Sequence, residues 1–245
     1  MLGDCAVMTT RTARRRPSAA MTSVAVLLAV YAVLGLLAHD VHSGTALDHA
    51  VLDAMVRHRS PGLTAWALAI TTAFSPVGVG VLAVAAAAML WRRLGSPRPA
   101  ILLLAALALA FAASTLTKAI VGAHRPPAFV QLVTETDPSF PSGHVTGTVA
   151  MLGALSAVIG HHGGRMTRAI LIATTLLAGV AVGVTRLYLG VHWASDVLGG
   201  LLLGAAAAVL THLTYQRLRR QSGGDGRGGP SSTADPVSAA ATLPR

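Results

Sequence analysis

The chain has 245 residues, 53% hydrophobic and only 11% charged, with 19 basic residues against 9 acidic ones. A soluble domain carries about 25% charged residues, so this composition excludes an ordinary water-soluble enzyme and points to membrane spans. The formal charge of +10 falls in short loops between apolar runs, where it reads as an orientation signal and argues against nucleic acid as a partner.

Residues 1–20 form a basic segment with Arg11, Arg14, Arg15 and Arg16, followed by an apolar run at 21–38. That run ends in Leu37-Ala38-His39-Asp40 without a small-x-small cleavage site, so a retained first helix is expected rather than a signal peptide. The single Cys5 excludes an internal disulfide. At 46–58, Leu47, Ala50, Val51, Ala54 and Met55 make one stripe, with Asp48, Asp53 and Arg57 off it and Thr45-x-x-Asp48 as a capping box. A helix lying in the membrane interface and a packed loop helix both fit that pattern.

A second apolar run, 63–91, is too long for a straight span, and Ser75-Pro76 in its middle predicts a kink or a first turn outside the hydrocarbon. Four further runs follow at 99–121, 144–160, 168–185 and 193–213. A crossing needs about 20 residues for roughly 30 Å of hydrocarbon, so six spans are expected. Residues 216–245 are expected to form a disordered cytoplasmic tail, since from Gln221 onward the chain is rich in Gly, Ser, Pro and Ala without apolar periodicity. The predicted fold is all-α: a polytopic membrane protein with a six-helix bundle over 21–215.

The loop charges orient the bundle. Basic clusters precede helix 1, join helices 2 and 3 (Arg92, Arg93, Arg98), join helices 4 and 5 (Arg165, Arg168) and follow helix 6 (Arg217, Arg219, Arg220). These positions alternate with the other loops, as an integral cell-membrane protein with both termini cytoplasmic requires.

Three polar groups interrupt the apolar pattern: Lys118-x6-Arg125-Pro126, Pro141-Ser142-Gly143-His144, and Thr185-Arg186-x5-His192-x3-Asp196. The topology puts all three at the extracytoplasmic face. Polar groups so placed in a membrane protein are costly and mark function. Lys118, Arg125 and Arg186 are suited to surround a phosphate, Arg by a planar fork and Lys by a compact charge. Lys118 is the one lysine of the chain, which chance alone also explains.

Ser142 stands at a helix start, where backbone N–H groups bind anions, but a plain N-cap serine fits the same position. Gly143 permits close approach of the chain. His192 and Asp196 share a helix face, so the carboxylate can fix the imidazole tautomer and free the other nitrogen to attack; a polar pair facing a crevice is the alternative. Three cations would repel a divalent metal, and none is expected.

Together the three groups resemble the type 2 phosphatidic acid phosphatases, or lipid phosphate phosphatases, whose pattern is K-x6-R-P, P-S-G-H and S-R-x5-H-x3-D. The resemblance covers roughly residues 20–215. It implies a six-helix bundle and metal-independent hydrolysis of a lipid phosphate or diphosphate, with no cofactor. It also implies His192 as the nucleophile that becomes a phosphohistidine, Asp196 as its orienting partner and His144 as general acid and then base. Lys118, Arg125, Ser142, Gly143 and Arg186 would bind the phosphate. Thr185 replaces the usual serine, keeping the hydroxyl with an added methyl.

Candidate substrates are phosphatidic acid, phosphatidylglycerol phosphate and polyprenyl diphosphate. A lipid phosphotransferase using the same intermediate, or a non-catalytic lipid-binding protein, is the alternative. A vanadate-dependent haloperoxidase is disfavoured by the six-span body.

Outside the motifs, Phe129, Val130, Leu132 and Val133 could line a lateral lipid route or simply pack the loop. Glu135 and Asp137 would repel an anion and are expected on the loop's outer side. Gly179-x3-Gly183 and Gly200-x3-Gly204 predict close helix contacts within the bundle. His161-His162 read as solvated loop residues, His124 as a substrate-contact candidate beside Arg125, and Trp193 as an interfacial aromatic anchor.

Overall fold

The computed structural model describes residues 19–224. All but the last two residues of the expected basic N-terminal segment, and the tail from 225 onward, lie outside the described residues. Eight α-helices are described: α1 Ala19–Val41, α2 Ala46–Arg57, α3 Pro61–Ala73, α4 Pro76–Leu94, α5 Arg98–Val121, α6 Gly143–His161, α7 Arg165–Tyr188 and α8 Ala194–Gly224. A short 3-10 turn, Ala128–Val130, lies in the connection from α5 to α6. Six of these helices (α1 and α4 to α8) are long and apolar enough to cross a membrane.

The second apolar run does not kink at Ser75-Pro76; it breaks there into α3 and α4. Ser75 caps α4 by accepting from the Gly78 amide at 3.1 Å, and Pro76 occupies the first helical turn, where its missing N–H costs nothing. A Cβ on Gly78 would sit 2.2 Å from the Ala73 carbonyl oxygen, so the turn between the helices requires glycine. The 13 residues of α3 reach about 20 Å at 1.5 Å per residue, too short to cross. The predicted helix at 46–58 forms as α2, with the full capping box between Thr45 and Asp48.

α8 runs on to Gly224, well past the expected end near 213–215, so the start of the expected disordered tail is helical. Nothing in the composition from Ala194 to Gln221 stops a helix, since the last glycine before Gly223 is Gly204 and no proline intervenes.

α6 sits at the centre, packed against α5, α7 and α8. Its buried face includes Met151, Ala154 and Val158, which meet Val79 and Ala83 of α4, Leu103 and Leu107 of α5, and Tyr215 of α8. α1 lies at the periphery with Val26, Val33 and Leu36 exposed, as suits a hydrocarbon-facing helix. Both glycine pairs pack inside the bundle as expected. A Cβ on Gly179 would lie 2.5 Å from Val149, on Gly183 2.5 Å from Val197, and on Gly204 2.7 Å from Val149. These close approaches bring the first turns of α6 and α8 and the last turns of α5 and α7 to one end of the bundle.

Candidate active site

The third motif is built at the turn between α7 and α8. His192 is 2% exposed and Asp196 is fully buried. The His192 Nδ1 lies 3.1 Å from Asp196 Oδ2. The same carboxylate oxygen accepts from the Trp193 amide at 2.8 Å and from the Ser139 hydroxyl. A carboxylate held by those donors accepts from Nδ1–H, which leaves the lone pair on Nε2. Arg125 Nη1 lies 3.2 Å from that Nε2 and donates to it. The imidazole is thus oriented on one side by a carboxylate and faced on the other by a guanidinium. Burial first, then Arg125, Arg186 and Lys118, hold His192 well below the ordinary histidine value. The ring is therefore neutral near pH 7.

The first motif supplies cations from the end of α5 and the loop beyond it. Arg125 is anchored through Nε to the Asp137 carbonyl (2.7 Å) and through Nη1 to the Val191 carbonyl (2.7 Å). Lys118 donates to the Pro138 carbonyl and to the Ser139 carbonyl (3.3 Å), and pairs with Asp137 Oδ2 at 3.0 Å. Three acceptors match the three protons of an ammonium. Arg186, 1% exposed on α7, donates to Thr71 of α3 at 2.7 Å and pairs with Glu135. Its Nε is a buried donor with no partner among the described residues.

The second motif opens α6. Ser142 occupies the N-cap position but makes no side-chain cap bond, and its buried Oγ has no partner among the described residues. The plain N-cap reading is thereby disfavoured, and a buried hydroxyl is left unsatisfied at the start of α6. A Cβ on Gly143 would meet no atom of another segment within 4 Å, so packing does not demand glycine there. The Ser142 amide donates to the Asp196 carbonyl at 3.0 Å, tying the second motif to the third. His144 is partly exposed and feels the charges of Arg186, Arg125 and Lys118. Thr185, the departure from the pattern, returns its hydroxyl to the Val182 carbonyl at 2.7 Å, away from the cations.

Glu135 and Asp137 are not on the outer side of the loop. Glu135 pairs with Arg186, and Asp137 with Arg125 at 2.7 Å and Lys118 at 3.0 Å. Lys118 and Arg125 hold the Asp137 carboxyl below the usual carboxylate range although burial acts against them. The physical reason is that three clustered cations attract the nearest carboxylates. Trp193 is 2% exposed and no interfacial anchor; its indole N–H donates to the His124 carbonyl at 2.7 Å. His124 thus contributes backbone: its carbonyl to Trp193, and its amide to the His42 carbonyl at 2.8 Å. Val133 packs on Tyr188, Leu189 and Val191, whereas Phe129 stands 88% exposed.

Three contributors escaped the sequence reading. Ser139 is buried and holds Asp196, Thr71 holds Arg186, and Asp48 accepts from the Ser195 amide at 2.9 Å at the start of α8. Asp48 carried a local signal, its capping box; Ser139 and Thr71 carried none, because their partners are distant in sequence.

A family model described as the PAP2 superfamily matches residues 99–220, from the start of α5 to the end of α8. The chain belongs to the PAP2 superfamily. The three motif groups, from Lys118 to Asp196, fall within the matched stretch, whereas Thr71 and Asp48 lie before it. The chain is 33% identical over 97 residues to phosphatidylglycerophosphatase B of Bacillus subtilis, covering 38% of this chain and 47% of that one. It is 37% identical over 91 residues to the putative undecaprenyl-diphosphatase YbjG of Escherichia coli, covering 34% and 42%. The alignments thus span about half the length of these relatives, or less.

In structure, the chain resembles a transmembrane PAP2 type phosphatidylglycerolphosphate phosphatase from Bacillus subtilis. The TM-score is 0.73 at 25% identity, covering 82% of this chain and 99% of that one. LpxE of Aquifex aeolicus shares the fold, with a TM-score of 0.55 at 22% identity over 70% of this chain and 97% of that one.

Proposed function

We propose that this chain hydrolyses a membrane lipid phosphate or diphosphate by way of a phosphohistidine on His192. The observation that carries the reading is the His192 geometry: Nδ1 held by Asp196 at 3.1 Å, Nε2 presented among cations with Arg125 at 3.2 Å. A neutral imidazole aimed into a cationic cluster is a nucleophile beside an anion site. The names of the relatives support a lipid phosphate as substrate: phosphatidylglycerophosphatase and undecaprenyl-diphosphatase.

In this reading the substrate phosphate takes the place of the Glu135 and Asp137 carboxylates on Arg186, Arg125 and Lys118, and the Ser142 hydroxyl and the α6 N-terminus hold its remaining oxygens. Nε2 attacks phosphorus as the P–O bond to the leaving group breaks. His144 gives its proton to the departing oxygen. His144 then takes a proton from water, the hydroxide attacks phosphorus, and the P–N bond breaks to free phosphate and restore His192. Charge neutralisation comes from the three side-chain cations, and no step draws on a metal. The alternating loop charges support a topology with both termini in the cytoplasm and this site at the extracytoplasmic face.

The test is phosphate release from phosphatidylglycerol phosphate, phosphatidic acid and a polyprenyl diphosphate by purified protein in chelator. Release that persists in chelator and falls at least about 10³-fold in His192→Ala is expected. Undiminished release by His192→Ala would remove the nucleophile assignment.

A further inference from the structure

His192 lies in the turn 189–193, which joins the end of α7 to the start of α8. Such a junction leaves carbonyls without helical partners at the end of one helix and amides without them at the start of the next. Two charged side chains of the α2 region take one of each. Arg59, just after α2, donates through Nε (3.0 Å) and Nη2 (2.9 Å) to the carbonyl of Tyr188, the last residue of α7. Asp48, in the first turn of α2, accepts from the Ser195 amide through Oδ1 at 2.9 Å and from the Ser195 hydroxyl through Oδ2 at 3.1 Å. The cation thus sits at the C-terminal end of one helix and the anion at the N-terminal end of the next, the signs that the two helix dipoles favour.

Further contacts fix the same turn. Asp48 is 3% exposed, although Asp53 and Arg57 of the same short helix face outward. Trp193, just before α8, has no side-chain oxygen with which to cap that helix, so the cap comes from a distant segment. Arg59 Nη2 also donates to the Val130 carbonyl at 2.8 Å, and the Leu132 amide donates to the Leu189 carbonyl at 2.9 Å. The loop that carries Glu135 is thereby pinned to the turn that carries His192. Gly190 has φ +72°, and a Cβ there would lie 2.5 Å from the Val130 oxygen and 2.7 Å from Arg59 Nη2, so the turn closes tightly around the guanidinium. α2 packs against both α7 and α8. Asp48 and Arg59 both precede the matched family stretch, which begins at residue 99.

We infer that α2 is a strap across the α7–α8 turn, with Asp48 and Arg59 as positioning residues that hold His192 and Asp196 in line for attack on phosphorus. Both act through the backbone of the turn and not on the phosphate. The inference rests on the reading of His192 as the nucleophile.

Phosphate release from the same three lipids and amide hydrogen exchange of the full chain in detergent test this. Asp48→Ala and Arg59→Ala are compared with Asp53→Asn/Arg57→Gln, which removes one charge of each sign from the exposed side of α2. In each alanine variant kcat is expected to fall about 10-fold to 100-fold with KM changed less than about threefold, the scale of a reacting group displaced by up to about 1 Å. Exchange in peptides covering 188–197 is expected to rise about fivefold, the scale of one lost hydrogen bond, while peptides within α6 keep wild-type protection. Asp48→Asn and Arg59→Lys each keep part of the contact set and are expected to recover part of kcat. The control variant is expected to match the wild type in both measurements. Wild-type kcat in both alanine variants overturns the proposal. Exchange that rises equally throughout the bundle also overturns it, because it reduces the strap to general support of the fold. If the alanine variants do not fold, Asp48→Asn and Arg59→Lys decide, and wild-type kcat and exchange in both count against the strap. Undiminished release by His192→Ala removes the nucleophile reading and the positioning role with it. Release lost in His192→Ala but intact in the strap variants removes the positioning role alone.

Discussion

As the proposed nucleophile, His192 has two demands to meet that conflict in water: to be neutral for attack and to be held rigidly beside cations. Burial and the three nearby charges keep it neutral, and Asp196 keeps it aligned. Because its value is depressed below 6.5, the neutral form persists as pH falls through the ordinary histidine range. The acid limb of kcat/KM that belongs to this nucleophile is therefore expected below pH 6.5; a limb at or above that value that traces to His192 contradicts the assignment. The linkage has the same origin: the unfolded chain takes up this proton first, so His192 withdraws stability as pH drops from about 6.5. Glu135 and Asp137 give a second residue-scale prediction. As carboxylates already seated on Arg186, Arg125 and Lys118, they are expected to compete with phosphate in the proposed reaction. In Glu135→Gln and Asp137→Asn, inorganic phosphate is expected to inhibit at concentrations lower by roughly threefold to tenfold, the scale of one net hydrogen bond of about 1 kcal/mol. Inhibition that is unchanged or weaker in both variants rules out competition.

At the scale of elements, the site depends on how closely α6 and α8 approach. A Cβ on Gly200 would lie 2.8 Å from the Ser142 carbonyl oxygen and 2.9 Å from Val145. Gly200→Ala is therefore expected to push the first turn of α6 away from α8. The cost is about 1–3 kcal/mol of stability, as for other overpacked sites, with a larger relative fall in turnover because Ser142 and His144 ride on that turn. Thermal unfolding and phosphate release measured together check it; full activity at reduced stability would mean that the turn tolerates the shift. The glycine spacing was legible in the sequence, and so was the α2 capping box. The inward Glu135 and Asp137 were not. Like-charge repulsion with an incoming anion was the visible argument, while their attraction to cations up to 51 residues away, as in Glu135 with Arg186, appears only once the loop is folded back.

For the whole molecule, orientation is the property that decides which leaflet supplies substrate. In a Cys5→Ser background, Phe129→Cys is expected to react with a membrane-impermeant maleimide in intact cells, since Phe129 is 88% exposed at the active-site end. Arg165→Cys, at the start of α7 and the opposite end, is expected to react only after the membrane is opened. The reverse pattern inverts the topology and puts the site on the cytoplasmic leaflet.

The sequence by itself determined the helical membrane class, the alternating loop charge and three polar groups at one end, because hydropathy and charge are local and additive along the chain. It also marked the candidate site residues of the three motifs, since each motif piece is short. Only the tertiary structure decided that Ser75-Pro76 divides a run into two helices and that Trp193 is buried. It alone set Ser139 and Thr71 behind the site and seated two carboxylates on its cations. Those outcomes rest on contacts between segments brought together by bundle packing, and no local pattern encodes which distant partner a buried polar group will find.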